Sequence, residues 1–234
     1  MGAAGLILAG GEGSRLAASG VATPKAAVRV AGRPQAVRLA DALRRAGCDP
    51  IACAVRDTVA GTLAALPDLA EVRLVTCHTP TSLHTLAVGL EALPAGTVMC
   101  TMVDCVMRDA DWFAALDALA AGLSDGASAG VVVTPLIEDE RPLHVELDQH
   151  GLVRRFGGPS APRPLVTAGV YAFGPVARAG VRPALGAGVQ RMRGYLAWLV
   201  EQGHRIAAVE VHEVVDLDTA RDLARATALL EAGV

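Results

Sequence analysis

Ala4-Gly5-Leu6-Ile7-Leu8-Ala9-Gly10-Gly11-Glu12-Gly13-Ser14-Arg15-Leu16 begins as an unbroken apolar run and stops at paired glycines. An apolar run without alternation predicts a strand buried on both faces, as in a parallel sheet covered by helices. Glycines directly behind such a strand let main-chain N–H groups come close to a phosphate and act as anion donors. Outward from this stretch, short apolar runs keep alternating with segments of helical period. The alternation predicts an α/β fold, a doubly wound, mostly parallel, Rossmann-like sheet.

Strands are predicted over residues 4–9, 51–55, 72–76, 97–103, 129–134, 166–173 and 205–211. Helices are predicted over 34–46, 57–66 (with Asp57 as N-cap), 83–93, 109–123, 189–201 and 219–232. Residues 143–147 and 152–156 flank Asp148-Gln149-His150-Gly151, a hairpin turn with glycine where a left-handed residue is needed. The expectation is one domain over 1–234 carrying an antiparallel insertion at about 136–175, in which 157–164 forms a mobile loop.

The chain has 234 residues, 52% hydrophobic and 19% charged, which excludes intrinsic disorder. Aromatics are only 3%, so Ala, Val and Leu must build the core. A net charge of −3 argues against a general nucleic-acid or membrane-surface binder. Mean hydropathy is +0.40, yet no apolar run reaches the roughly 18–20 residues a membrane span requires. The N-terminus lacks the basic flank of a signal peptide, so a cytoplasmic location is expected. Cys48, Cys53, Cys77, Cys100 and Cys105 form no C-x-x-C pair and read as small buried hydrophobes of a reducing compartment.

Of the 21 basic residues, 20 are Arg and the other is Lys25. A chain so biased toward Arg keeps a lysine where a compact ammonium does what a guanidinium cannot. Lys25 follows the glycine loop, in Thr23-Pro24-Lys25. The loop is not a dinucleotide fingerprint, because the third glycine of G-x-G-x-x-G falls at Leu16. It is not a Walker loop either, since no Gly-Lys-Ser/Thr closes it. Two cations around a glycine turn suit a triphosphate, Arg15 forking across the departing phosphates and Lys25 neutralising the phosphorus under attack.

LAGGEGSRL…TPKAAVRVAGRP resembles the signature of the nucleotidylyltransferases that activate sugar 1-phosphates, with their small MobA-like and phosphocholine cytidylyltransferase relatives. The resemblance implies a Mg²⁺-dependent enzyme that couples a nucleoside triphosphate to a phosphorylated acceptor, first of all a sugar 1-phosphate, and releases pyrophosphate. It implies catalytic roles for Arg15 and Lys25, and nucleotide contacts from Leu8, Ala9, Gly10, Gly11, Gly13 and Ser14. The segment His78 to Thr85 stands where the family reads the base, which implies Thr81 and Ser82 as contacts; His84 is either a substrate contact or a surface residue. Metal ligation is implied for Asp104, after a central strand, and in Val214-Val215-Asp216-Leu217-Asp218 for Asp216, whose spelling is favoured, or Asp218. The family's aromatic is replaced there by Val214, and Asp218 is equally placed to cap the last helix. Thr167 and Gly169 match the family's acceptor strand. Homodimers are common among such relatives.

One departure concerns the acceptor. Sugar-activating members carry Glu-Lys-Pro after the hairpin, where this chain has Arg155-Phe156-Gly157-Gly158-Pro159. Either Arg154 or Arg155 takes over the phosphate, or the acceptor is not an ordinary hexose phosphate; Arg191 and Arg193 read first as solvated surface arginines and otherwise as further cations for an anionic acceptor. Phosphocholine, a phosphonate and the molybdenum cofactor remain alternative acceptors. Two other readings are a catalytically silent nucleotide-binding regulator and a glycosyltransferase using Asp109-Ala110-Asp111 as its metal motif.

Overall fold

A computed structural model describes residues 2–136, 142–158 and 164–232. The elements run β1 (Ala4–Ala9), α1 (Ser14–Ala18), β2 (Arg29–Val30), β3 (Arg33–Pro34), α2 (Gln35–Arg45), β4 (Ile51–Val55), α3 (Asp57–Ala64), β5 (Arg73–Thr76) and α4 (Ser82–Glu91). They continue β6 (Val98–Met102), β7 (Cys105–Val106), α5 (Asp109–Ser124), β8 (Ala129–Thr134), β9 (His144–Leu147), β10 (Val153–Phe156) and β11 (Leu165–Phe173). The chain closes with α6 (Pro175–Ala179), α7 (Val181–Gly186), α8 (Met192–Glu201), β12 (Ile206–Glu210), β13 (Val215–Asp216) and α9 (Ala220–Glu231).

The main sheet has the order β10-β9-β11-β6-β1-β4-β5, with β8 on β11 and β12 on β8. β1 lies parallel to β4 and β6, and β4 parallel to β5. β11 runs antiparallel to β6, β8 and β9, while β12 is parallel to β8. The carboxyl ends of β1, β4, β5, β6, β8 and β12 therefore share one edge, together with the amino end of β11. Ligand crevices of doubly wound sheets open at that edge.

Alternation across β1 splits the core as expected for a sheet covered on both faces. Leu6 and Leu8 pack with Leu83, Leu86 and Leu90 of α4 and with Tyr195 and Leu199 of α8. Ile7 packs on the other face with Leu39 and Leu43 of α2 and Trp112 and Leu116 of α5. A smaller cluster of Val28, Val30, Val106, Val215, Leu217 and Leu229 ties α9 to the short ribbons. Among the described residues no helix is long and apolar enough to cross a membrane.

Several expectations need correction. Arg56, not Asp57, caps α3, because Asp57 already has its first-turn place and accepts from Thr58 N at 2.8 Å. α2 starts at Gln35, since Pro34 is taken up by the β2–β3 ribbon. α8 starts at Met192 rather than 189, where the preceding segment instead bonds the start of α4 through Gln190 O. α1, α6, α7 and the ribbons β2–β3 and β7–β13 were not anticipated. Of the loop expected at 157–164, residues 159–163 lie outside the described residues.

Candidate active site

The glycine loop leaves β1 at the ligand edge and runs between two clefts. The first, about 660 Å³, is lined by Leu8, Gly10, Gly11, Glu12, Arg56, His78 to Ser82, Thr85 and Met102. The second, about 340 Å³, is lined by Arg15, Thr134, Leu136, Pro142, residues 166–168, residues 214–216, Asp218, Thr219, Arg221 and Asp222. Gly10 is required by packing: a Cβ there would stand 2.9 Å from both Cγ2 and Oγ1 of Thr85. Gly13 is required by conformation, since it caps α1 with φ of 65°.

Between the clefts stands an ion cluster. Lys25 Nζ donates to Asp218 Oδ1 at 2.5 Å and to Asp104 Oδ2 at 3.2 Å. Arg15 Nη1 meets the other oxygen of Asp218 at 2.6 Å. Lys25 is 14% exposed, Asp104 26% and Asp218 18%, whereas Arg15 is 59% exposed. Burial pulls the Lys25 pKa down, but the carboxylates of Asp104 and Asp218 outweigh it and the net shift is upward. The ammonium therefore stays charged at neutral pH.

The ribbon β7–β13 brings the acidic residues together. Leu217 N donates to Asp104 O at 3.0 Å, and Asp216 is opposite Cys105. With 104 and 217 hydrogen-bonded, Cys105 points its carbonyl away from the ribbon. Gln35, only 1% exposed, supplies the missing donor through Nε2 at 2.8 Å. Burial first, then the charges of Asp216 and Asp104, raises the Cys105 thiol well above its usual range. Asp218 does not cap α9. Thr219 does, in a capping box with Asp222, and this leaves the Asp218 carboxylate to the cations.

The expected site residues divide clearly. Leu8, Gly10, Gly11, Thr81 and Ser82 line the first cleft, and Arg15, Thr167, Asp216 and Asp218 the second, with Lys25 and Asp104 joined to them through Asp218. Ala9 is buried, and Ser14 opens α1. The Thr81 hydroxyl is spent on Gln190 O and His84 Nδ1, and Ser82 Oγ accepts from Met192 N at 3.0 Å. His84 thus braces the loop. Gly169, with φ of 75°, occupies the irregular stretch of β11 against Met102 and Cys105. Arg154 and Arg155 both pair with Glu146, at 3.2 and 2.8 Å, in a separate cleft under α8. Arg191 and Arg193 are exposed at the start of α8. Asp109 and Asp111 open α5 and pair with Arg38 and Arg108, outside both clefts.

Residues not anticipated rim the first cleft. Arg56 follows β4 and meets Glu12 at 3.6 Å, and His78 follows β5 and meets Asp57 at 2.6 Å. Both succeed the carboxyl ends of parallel strands, a position that marks ligand edges from sequence alone.

The family model of the MobA-like NTP transferase domain matches residues 5–205. The chain belongs to this family. Two solved structures show the fold of this NTP transferase at low sequence identity. A putative glucose-1-phosphate thymidylyltransferase from Bacillus anthracis superposes with a TM-score of 0.77 at 17% identity, over 97% of this chain and 94% of that one. The inositol-1-phosphate CTP transferase from T. maritima gives 0.77 at 14%, over 98% and 96%. No curated protein matches the chain. The NTP transferase match ends before Asp216 and Asp218, so the second cleft's acidic wall is described by geometry alone.

Proposed function

We propose that the chain transfers a nucleotidyl group from a nucleoside triphosphate to a phosphorylated acceptor, a sugar 1-phosphate in the first instance, releasing pyrophosphate. The observation carrying this reading is Lys25 held between Asp104 and Asp218, with Arg15 on the far oxygen of Asp218, where the glycine loop passes from one cleft to the other. The first cleft suits the nucleoside, the cluster the phosphates, and the second cleft the acceptor.

In this scheme an acceptor phosphate oxygen, already anionic at neutral pH, attacks the α-phosphorus. The new O–P bond forms as the bond to the β-phosphate oxygen breaks, and pyrophosphate leaves with that electron pair. No side chain has to remove a proton. The protein positions the reactants and neutralises charge: main-chain N–H groups of the glycine loop and Arg15 hold the triphosphate, and Lys25 faces the reacting phosphoryl group.

Asp104 and Asp218 would hold Mg²⁺. They already converge on one cation, the Lys25 ammonium, which supports the fit. Among the described residues no three His, Cys, Asp or Glu side chains form a cage, as suits an ion that takes one or two carboxylates and completes its shell with water and phosphate. Mg²⁺ bound there supplies charge neutralisation on the triphosphate. Asp216, beside Asp104, is the alternative second ligand.

Pyrophosphate release with Mg²⁺, for the four ribonucleoside triphosphates and deoxythymidine triphosphate against a panel of phosphorylated acceptors, tests the reading. Release that needs one triphosphate, one acceptor and Asp104 supports it and names the substrates. Triphosphate binding without release against any acceptor favours the silent regulator.

A further inference from the structure

We propose that Arg221 binds the anionic group of the acceptor, taking the place of the lysine that this chain lacks after its hairpin. The inference rests on the nucleotidyl-transfer reading and assigns the cation of its second cleft.

Arg221 lines that cleft with Arg15, Thr167, Asp216 and Asp218. It is exposed and, among the described residues, has no hydrogen bond or ion pair. Among the described residues, Arg191 and Arg193 stand at the start of α8 outside this cleft, and the remaining candidates are engaged. Arg15 is held by Asp218, and Arg154 and Arg155 are held by Glu146 in a different cleft. Arg221 is also the second residue of α9, where the helix dipole disfavours a cation.

The cleft is otherwise acidic, so an anion entering it depends on the guanidiniums that line it. Its carboxylates, Asp216, Asp218 and Asp222, outnumber its two guanidiniums. Asp222 is turned to the α9 cap and Asp218 to Lys25 and Arg15. A phosphate monoester entering here needs a donor at the outer wall as well as the cation cluster within. A guanidinium supplies a forked, charge-assisted pair of hydrogen bonds for it.

The test uses the full chain with Mg²⁺ and two separate titrations. Nucleoside triphosphates probe the first cleft; glucose 1-phosphate and inorganic phosphate probe the second. The wild type is expected to bind both phosphate probes. Arg221→Ala and Arg221→Glu should weaken them at least tenfold, leave triphosphate affinity within about twofold and leave Tm unchanged, and Arg221→Lys should recover most of the loss. Equal phosphate affinity in wild type and Arg221→Ala overturns the inference. So does a wild type that binds triphosphate but neither phosphate probe. Phosphate binding that depends on Arg221 in a chain that binds no triphosphate supports the anion site while failing the nucleotidyl-transfer reading.

Discussion

Lys25 and Asp218 lie 193 positions apart in the chain and meet at 2.5 Å, with Asp104 on the other side of the same ammonium. The contact closes the C-terminal ribbon over the glycine loop and sets three charges where the two clefts join. Replacing Lys25 by Ala is expected to lower turnover by about 10²–10³-fold, the effect of removing a preorganised electrostatic donor. The same change leaves Asp104 without its cation and Asp218 with Arg15 alone, so Mn²⁺ or Mg²⁺ should bind Lys25→Ala more tightly in calorimetry. Unchanged turnover together with weaker metal binding would contradict this arrangement.

Gly10 and Thr85 form a second sensitive contact. A methyl group at Gly10 would lie 2.9 Å from the Thr85 side chain, which is 5% exposed and hydrogen-bonded to Thr79 Oγ1 at 2.6 Å. Gly10→Ala is expected to cost about 1–3 kcal/mol by overpacking and to weaken triphosphate binding. Thr85→Ala in the same chain should restore part of both losses. A double-mutant cycle in thermal unfolding and triphosphate affinity checks it, and strict additivity would show that the two sites do not touch.

Much of this was legible in the sequence, and the parts that were not share a cause. The β1 glycine loop and Lys25 were readable because their chemistry lies in local spelling. The β2–β3 ribbon was not, since its turn uses Ala31 at φ of 46° before Gly32 at 77°, and alanine is no turn signal. The two-residue strands β7 and β13 are too short to show a period. Spelling favoured Asp216 over Asp218, but only the ribbon's register and the Thr219 cap show that Asp218 turns toward Lys25. Arg155 stood closest to the missing family lysine in sequence, and Glu146 claims it in space.

Gln35 is a polar residue in an apolar stripe, and its role emerges only from packing. It bonds the Cys105 carbonyl beside Asp104, while its own Oε1 has no partner. Gln35→Ala is expected to destabilise the fold by about 1–3 kcal/mol through the orphaned carbonyl. For a chain of this size that corresponds to a fall of roughly 2–4 °C in Tm per kcal/mol. An unchanged Tm would mean that water satisfies Cys105.

The thiols predict the alkaline limb of stability. Burial pushes Cys48 up to about 11 and Cys53 up to about 12, and raises Cys77, Cys100 and Cys105 as well. Folded values above unfolded ones give stability that is full below about pH 9 and lost as pH rises through the folded values. The raised Lys25 pKa acts in the same direction above its ordinary 10.5. Urea midpoints should therefore fall between pH 9 and 11, and Ellman's reagent at pH 8 should react slowly with the native chain and with five thiols in denaturant. Rapid native labelling would contradict the buried thiols.

The most direct test exchanges the chain's lone lysine for the residue it uses everywhere else. Pyrophosphate release and Tm are measured for Lys25→Arg beside the wild type. If Lys25 is a compact donor between Asp104 and Asp218 at the reacting phosphate, turnover falls at least about 10²-fold while Tm shifts only by a few degrees. Wild-type turnover in Lys25→Arg would reduce Lys25 to a generic ion-pair partner and contradict the assignment of the reaction centre.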